Sequence, residues 1–506
     1  MPDDVCVLAV DQGTSSTKAV VIDPMGDVRR TASVPLSASS PAPGWVEQDP
    51  EEILTGVRHV LATLVAGGDE TPVAVGLSNQ RESAVAWDAV TGEALSPLLG
   101  WQDRRTADRA RRLADEGVAE LVRQRSGLPL DPMFSALKFA WILDEIDPDR
   151  RRARNGQIRL GTVDSWLVDR LTGRWTIETG NASRTQLLNL ATGGWDPQLL
   201  DVFSIPAQAL PPVVRSDQHS PSIGALSHAA ASQVCITGIL GDSHAALFGH
   251  GVREPGMVKV TYGTGSSIMG LAPGDIPPDS GMVSTIGWRT AKTARAFEGN
   301  ILSTGATILW LSRLLGSDPA ELAAEAAGCA LPANVSFVPA FAGLGAPYWD
   351  ESATAVISGF DLGTTRAALA RAAFESIPHQ IEDVLTAADQ VVGSPITDIL
   401  ADGGPTSNDW LMQRQADLSG RVVHRADNPM LSVAGAAHLA GLSVGLWDAE
   451  QVAHLPRART TFTPTTDDRV RHERRERWAR EVARARFAAA DTQETSPSVG
   501  EVHERS

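Results

Sequence analysis

Twice in this chain a short apolar run ends in a polar glycine turn and is followed at once by a second apolar run. The first copy comprises residues 5–10 (VCVLAV), the turn Asp11-Gln12-Gly13-Thr14 and residues 19–22 (AVVI), closed by Asp23-Pro24-Met25-Gly26. The second comprises residues 257–260 (MVKV), the turn Tyr262-Gly263-Thr264-Gly265 and residues 266–269 (SSIM). Each copy reads as strand, glycine turn, strand. One hairpin repeated in each half predicts two related units. The 506 residues also exceed what a single hydrophobic core supports. A division near 249–256 gives each hairpin its own domain, 1–249 and 250–489.

Between the apolar runs lie helical patterns. Residues 51–66 place Ile53, Leu54, Val57, Val60, Leu61 and Leu64 on one face and lead into a strand at 73–77. In the second half, 367–384 and 408–419 read as helices flanking a strand at 398–401. Strands alternating with helices predict mixed or parallel sheets covered by helices, so each domain is α/β. Residues 490–506 (ADTQETSPSVGEVHERS) carry almost no apolar side chain and are predicted to be a disordered tail.

Charge and cysteine content remove several function classes. The formal net charge of −17 opposes binding to a phosphate backbone, so nucleic acid is not an expected partner. The arginine-rich run at 469–486 interleaves Glu with Arg at helical spacing and reads as a solvated helix face. Three scattered cysteines, Cys6, Cys235 and Cys329, lack metal-ligand spacing and favour a reducing cytoplasm. No apolar stretch approaches the roughly 20 residues that span a bilayer, and Asp3 and Asp4 stand where a signal peptide carries positive charge. Neither secretion nor membrane insertion is expected.

The two turns supply chemistry as well as shape. In the first, Gly13 lets the backbone approach an anion, Thr14, Ser15 and Ser16 bring donors, Lys18 brings positive charge, and Asp11 is suited to Mg²⁺ through water. The second, with Gly263 and Thr264, repeats the equipment without an acid. A third glycine turn, Asp402-Gly403-Gly404-Pro405, lies between a strand and a helix, where amide groups and the helix dipole suit a nucleotide. Each turn taken alone also reads as a purely structural turn. Asp242 follows a strand at 238–240 and opens a run of small residues, and is either an N-cap or a catalytic base. Phosphoryl transfer needs such a base near the attacking hydroxyl and charge neutralisation at the phosphate, tasks that Asp242 and Asp11 would divide.

Taken in order, these segments resemble the FGGY carbohydrate kinases, and within them most closely the glycerol kinases. The resemblance covers nearly the whole chain. It is carried by DQGTSSTKAVVID (11–23), PGWVEQDP (43–50), LSNQRESAVAWD (77–88), WQDRRTAD (101–108), SGLPLDPMFSALKFAWILD (126–144) and GTVDSWLVDRLTG (161–173), followed by NASRTQLLNL (181–190), GDSHAALFG (241–249), TYGTGS (261–266), FVPAFAGLGAPYWD (337–350) and DGGPTSNDWLMQRQADLSG (402–420). The resemblance implies an α/β fold of two actin-like (ribonuclease H-like) domains flanking a central cleft. It implies ATP with Mg²⁺ held mainly by the second domain and a small polyol or sugar acceptor held mainly by the first. Asp242 matches the family's base and a metal-associated position, and Asp11 the metal-associated carboxylate. Thr14, Ser15, Ser16 and Lys18 match the first phosphate hairpin, with Lys18 where Arg is common. Gly263 and Thr264 match the second hairpin, Gly305 a nucleotide-contacting glycine, and Gly404, Pro405 and Asn408 the adenosine segment.

In the acceptor site the resemblance is uneven. Arg81 and Glu82 agree with the pair that hydrogen-bonds a polyol's hydroxyls, Arg donating and Glu accepting, and Trp101 agrees with a wall aromatic. Met133 stands where glycerol kinases carry Tyr, Ser243 where they carry Gln, and Ser267 where they carry Phe. These exchanges predict a larger pocket with fewer hydroxyl partners, which admits a tetritol, a short ketose or a pentulose beside glycerol. A non-catalytic ATP-binding sensor of the actin superfamily is the reading from another class, and Asp242 beside Arg81 and Glu82 argues against it. The resemblance further implies a homodimer or homotetramer. The sugar-phosphate control loop of some glycerol kinases is not recognisable at 216–233, so no such regulation is expected.

Overall fold

The computed structural model describes residues 5–223, 234–329 and 334–493. In the first half, β1 (Val5–Gln12), β2 (Ser16–Ile22) and β3 (Val28–Pro35) form an antiparallel meander. Helix α1 (Pro50–Ala66) crosses over to β4 (Thr71–Asn79), which runs parallel to β1. A long excursion that includes α2 (Val163–Thr172) then returns to β5 (Ile236–Gly241), parallel to β4, and continues into α3 (Asp242–Gly249). The sheet order is β3-β2-β1-β4-β5.

Along β1, alternate side chains part to opposite faces, as a pleated strand requires. Cys6, Leu8 and Val10 join a core with the α1 residues Ile53, Leu54, Val57, Val60, Leu61 and Leu64, the six that the helical spacing selects. Helix α1 begins where its sequence says it must. Asp49 caps it by accepting from the Glu51 amide, Pro50 occupies the first turn, and Glu51 and Glu52 face the positive helix end.

The second half repeats this plan. Its elements are β6 (Met257–Tyr262), β7 (Ser266–Leu271), β8 (Val283–Arg289), β9 (Thr293–Ile301), α4 (Gly305–Leu315), α5 (Pro319–Gly328), α6 (Arg366–Val392), β10 (Asp398–Asp402), α7 (Asp409–Ser419), β11 (Val422–Ala426), α8 (Leu431–Ser443), β12 (Arg459–Phe462) and α9 (Asp468–Gln493). Within the order β8-β9-β7-β6-β10-β11-β12, the five strands β9-β7-β6-β10-β11 reproduce the first sheet, three antiparallel and then two parallel. The hairpin duplication is therefore a duplication of whole sheets.

The two sheets share a core. Val7, Ala9, Val20 and Ile22 from the other face of the first sheet pack with Ala245, Leu247 and Phe248 of α3, Val433, Ala437 and Leu439 of α8, and Met269 and Leu400 of the second sheet. Helix α8 belongs to the second half by sequence yet lies on the first sheet. Glycines make that approach feasible: a Cβ on Gly76 would stand 2.3 Å from the Ala436 carbonyl oxygen, and one on Gly435 would stand 1.8 Å from that of Ala245.

Three expectations need revision. Helix α6 continues past 384 to Val392 because nothing before Gly393, at φ +76°, breaks it. The arginine-rich helix α9 is solvated on one face only. Arg469 pairs with Glu473 at 3.2 Å there, while Trp478, Val482 and Ala485 are buried against Val338, Ala340, Leu344 and Ala353. The expected disordered tail starting at 490 is helical as far as Gln493, and its remainder lies outside the described residues. So do Asp3, Asp4 and residues 224–233 of the segment 216–233. Among the described residues no helix is long and apolar enough to cross a membrane.

Candidate active site

The turn between β1 and β2 is closed by the Gly13 amide donating to the Ser16 carbonyl at 3.0 Å. Three glutamines brace it from behind. Gln48 Nε2 donates to the Thr14 carbonyl at 2.7 Å, and Gln80 Nε2 donates to Gln48 Oε1 and Gln12 Oε1 at 2.8 and 3.2 Å. Trp101, 40% exposed, donates its indole N–H to Thr14 Oγ1 at 3.2 Å, which ties the expected wall aromatic to the hairpin. Asp11 lies opposite Lys18 in the ladder and accepts from Ser78 Oγ at 2.7 Å. Burial pushes its carboxyl up to about 6; Ser78 and Lys18 oppose the shift and the nearby charge of Asp242 adds to it. The two acids are thus electrostatic neighbours although they stand on different elements.

Asp242 is the first residue of α3, with Gly241 as its cap position, so the N-cap reading gives way. Its Oδ1 accepts from the Ser243 amide at 2.6 Å and from Arg81 Nε at 3.1 Å. Although 39% of its side chain reaches solvent, surrounding protein atoms raise its carboxyl; Arg81 counters that shift and Glu82 reinforces it. Ser243 contributes this backbone bond rather than a side-chain contact.

Behind Asp242 lies a buried charge cluster. Arg81 Nη1 and Nη2 donate to Glu298 of β9 at 3.1 and 2.7 Å. Ser267 Oγ donates to the same carboxylate at 3.0 Å, and Arg184 Nη2 lies 2.9 Å from it. Burial works against ionising Glu298, yet Arg184 and Arg81 outweigh it and hold the carboxyl well below the usual range. Arg184 Nε donates to Glu82 Oε1 at 2.5 Å. The Arg81-Glu82 pair, expected to hydrogen-bond an acceptor's hydroxyls, is held from behind by protein groups, Arg81 by Glu298 across the cleft and Glu82 by Arg184. Met133 packs with Leu128, Phe134, Val283 and Trp349, an apolar cluster that joins the two halves.

The second hairpin opens onto a cavity of about 760 Å³ that brings together six of the ten residues expected to hold nucleotide, Gly263, Thr264, Gly305, Gly404, Pro405 and Asn408, while Thr14, Ser15, Ser16 and Lys18 stand on the first hairpin and outside its lining. The Gly305 and Ala306 amides are spent on the Gly263 and Thr264 carbonyls at 3.0 Å each. A Cβ on Gly305 would stand 2.6 Å from the Gly263 oxygen. Asn408 caps α7 by accepting from the Leu411 amide at 3.1 Å and lines the cavity, so the positive end of α7 adjoins it. The rest of the wall is apolar: Ile308, Phe374, Ile377 and Trp410, with Ala320, Ala323, Ala324 and Ala327 of α5. An aromatic base fits such a slot, and the helix ends and glycine turns suit the phosphates.

Sequence reasoning missed several participants. Glu298 and Arg184 gave no signal beyond an acid inside an apolar strand and a quoted segment without an assigned role. The alanine stripe of α5 follows the spacing i, i+3, i+4, i+7 and was legible as a helix face, but what it faces was not.

Duplicated sheets, a cleft carrying two neighbouring carboxylates and a glycine-turned apolar cavity together fit a phosphotransferase of actin-like fold. Family models agree: the N-terminal domain of the FGGY family of carbohydrate kinases matches residues 6–249 and its C-terminal domain residues 258–444. The chain belongs to the FGGY family of carbohydrate kinases, ATP-dependent enzymes. It is 42% identical over 492 residues to a glycerol kinase of Aromatoleum aromaticum, covering 95% of this chain and 98% of that one. The crystal structure of Plasmodium falciparum glycerol kinase with ADP superposes with a TM-score of 0.90 at 27% identity, covering 95% and 98% of the two chains. A gluconate kinase from Lactobacillus acidophilus shares the fold at a TM-score of 0.87 and 20% identity, covering 97% of this chain and 100% of that one. One fold therefore serves different acceptors, and the acceptor must be argued from the site.

Proposed function

We propose that this chain transfers the γ-phosphoryl group of ATP to a terminal hydroxyl of a small polyol, with glycerol, the acceptor of its curated relatives, as the first candidate. The observation that carries the proposal is the state of Asp242: an open carboxylate oriented by Arg81, raised by its surroundings, and electrostatically coupled to Asp11. Asp242 takes the proton of the attacking hydroxyl, and its raised carboxyl brings it closer to the basicity that a general base needs. Glu82 and Arg81 orient the acceptor from the first half, while the cavity below the second hairpin holds the nucleotide.

Asp11 and Asp242 fit Mg²⁺, which takes one or two carboxylates and completes its shell with phosphate oxygens and water. When bound with ATP, the ion offsets negative charge on the phosphates. Lys18 and the hydroxyls of Thr14, Ser15 and Thr264 act on the same charge from the two hairpins. The acceptor half, 1–249, and the nucleotide half, 250–489, are brought together by the shared core that contains α8.

A second reading rests on Ser267. Its small side chain is held by Glu298 beside Arg81 and leaves room and an acceptor oxygen for a fourth hydroxyl-bearing carbon, which favours a tetritol. A coupled ADP-release assay over C3 to C6 polyols and ketoses distinguishes the two. Turnover is expected with glycerol or a tetritol, and Asp242→Asn is expected to lower it by about 10²–10⁴-fold. Absence of turnover with every acceptor refutes the proposal; full activity in Asp242→Asn refutes the assigned base.

A further inference from the structure

Lys138 is fully buried in the helix that spans Ser135–Ile146 and carries a charge that no step above uses. Its Nζ donates to the Glu82 carbonyl at 2.8 Å and to the Met133 carbonyl at 2.6 Å. Both partners stand at positions that the family resemblance puts in the acceptor site, and they come from distant segments of the chain. Glu82 also has φ +58°, a left-handed backbone uncommon for a side chain of its type. Such a conformation persists where neighbours over-determine it. On the side-chain end, Arg184 holds Oε1 of Glu82, while Oε2 takes no hydrogen bond among the described residues.

We propose that Lys138 is a positioning residue for acceptor recognition: by clamping the Glu82 and Met133 carbonyls together, it holds Glu82 in its strained conformation with one carboxylate oxygen free for an acceptor hydroxyl. The inference rests on the polyol-kinase reading given above. Two donors are what the clamp uses, and a neutral amine still has two N–H groups. Burial, which lowers the Lys138 ammonium to about 7 against the pull of Glu82, Asp103 and Asp131, therefore leaves the clamp intact. Through the carbonyl of Met133 the clamp also ties the backbone at 133 to that of Glu82.

The test is steady-state kinetics of Lys138→Met, similar in size and without donors, and of Lys138→Gln, whose shorter amide reaches one carbonyl. Expected for Lys138→Met is a rise of at least tenfold in the acceptor KM with the KM for ATP within about twofold of the parent, and for Lys138→Gln a smaller rise of the same kind. Far-ultraviolet circular dichroism and thermal melting establish that each variant is folded. If Lys138→Met does not fold, Lys138→Gln decides. An unchanged acceptor KM, or equal changes in the two KM values, overturns the inference and leaves a purely structural lysine. Failure of the parent enzyme to use any polyol would instead overturn the reading on which the inference rests.

Discussion

The cavity proposed to hold the nucleotide and the end of the cleft proposed to hold the acceptor grow from copies of one hairpin, yet their chemistry is opposite. Around the second turn the wall is alanine, glycine, isoleucine and aromatic carbon, open over about 760 Å³, and the polar groups are backbone and helix ends. Around the first turn and Asp242, charged side chains are buried and interlocked: Arg81 and Arg184 share Glu298, Arg184 reaches Glu82, and Lys138 ties Glu82 to Met133. The difference follows from what each end must recognise. A purine is a large apolar plate that shape and dispersion can hold, whereas a polyol offers only hydroxyls, which must be met by groups that cannot move away.

The contrast fails first if the charge cluster is not held together by Glu298. Glu298→Gln leaves two buried guanidinium groups short of a carboxylate, and a loss of about 3–5 kcal/mol in urea unfolding is expected; a change below about 1 kcal/mol would mean that the cluster is solvated and loosely held. A smaller effect is expected at the opposite end. Ala323→Phe fills the apolar slot and raises the KM for ATP by the equivalent of about 1–3 kcal/mol, about five- to 150-fold, with the acceptor KM unchanged. If the acceptor KM moved equally, the two ends would not be separable.

The acid coupling sharpens the comparison further. Asp11 is raised from 3.8 to about 6 chiefly by burial and acts as a carboxylate, so kcat/KM for Mg-ATP should fall as the pH drops below about 6, approaching tenfold per unit. Ionising Asp11 costs the empty protein stability as the pH rises between those two values, because the unfolded chain releases this proton first. Asp11→Asn should flatten the acid limb of the residual activity; a limb at the same pH in that variant would assign the titration to Asp242. The smallest change is expected for Ser267→Phe, which removes a hydroxyl from Glu298 and closes space beside Arg81. It should shift the preference between glycerol and a tetritol about three- to tenfold toward glycerol, and an unchanged ratio would remove Ser267 from acceptor selection.

Local patterns carried much of the site. Glycine turns at 13, 263 and 404 announce themselves by residue type and neighbouring strands, and Asp242 stands out as an acid at a strand-to-helix junction. Six of the ten residues expected around the nucleotide line one cavity. The cluster behind Asp242 was not legible, because Glu298 reaches Arg81 from the other half and Arg184, about a hundred residues from Arg81, joins it only through Glu82 and Glu298. The same limit hid the role of Lys138, whose partners are two backbone carbonyls that no side-chain pattern encodes. In α9, spacing alone revealed the charged face, but the burial of Trp478 and Val482 depends on strands more than a hundred residues earlier.

Periodicity and duplication therefore determined the hairpins, the helix faces and the glycine turns, since each depends on contacts within a few dozen residues, and the repeat of the hairpin pointed to two α/β units. The placement of α8 from the second half against the first sheet, the clamping of Arg81 by Glu298 and the apolar wall that α5 gives the nucleotide cavity were decided only in three dimensions. They are set by which surfaces the shared core forces together: glycine at 76 and 435 lets backbones touch, and once they touch, charges from distant segments have no water left to turn to except one another.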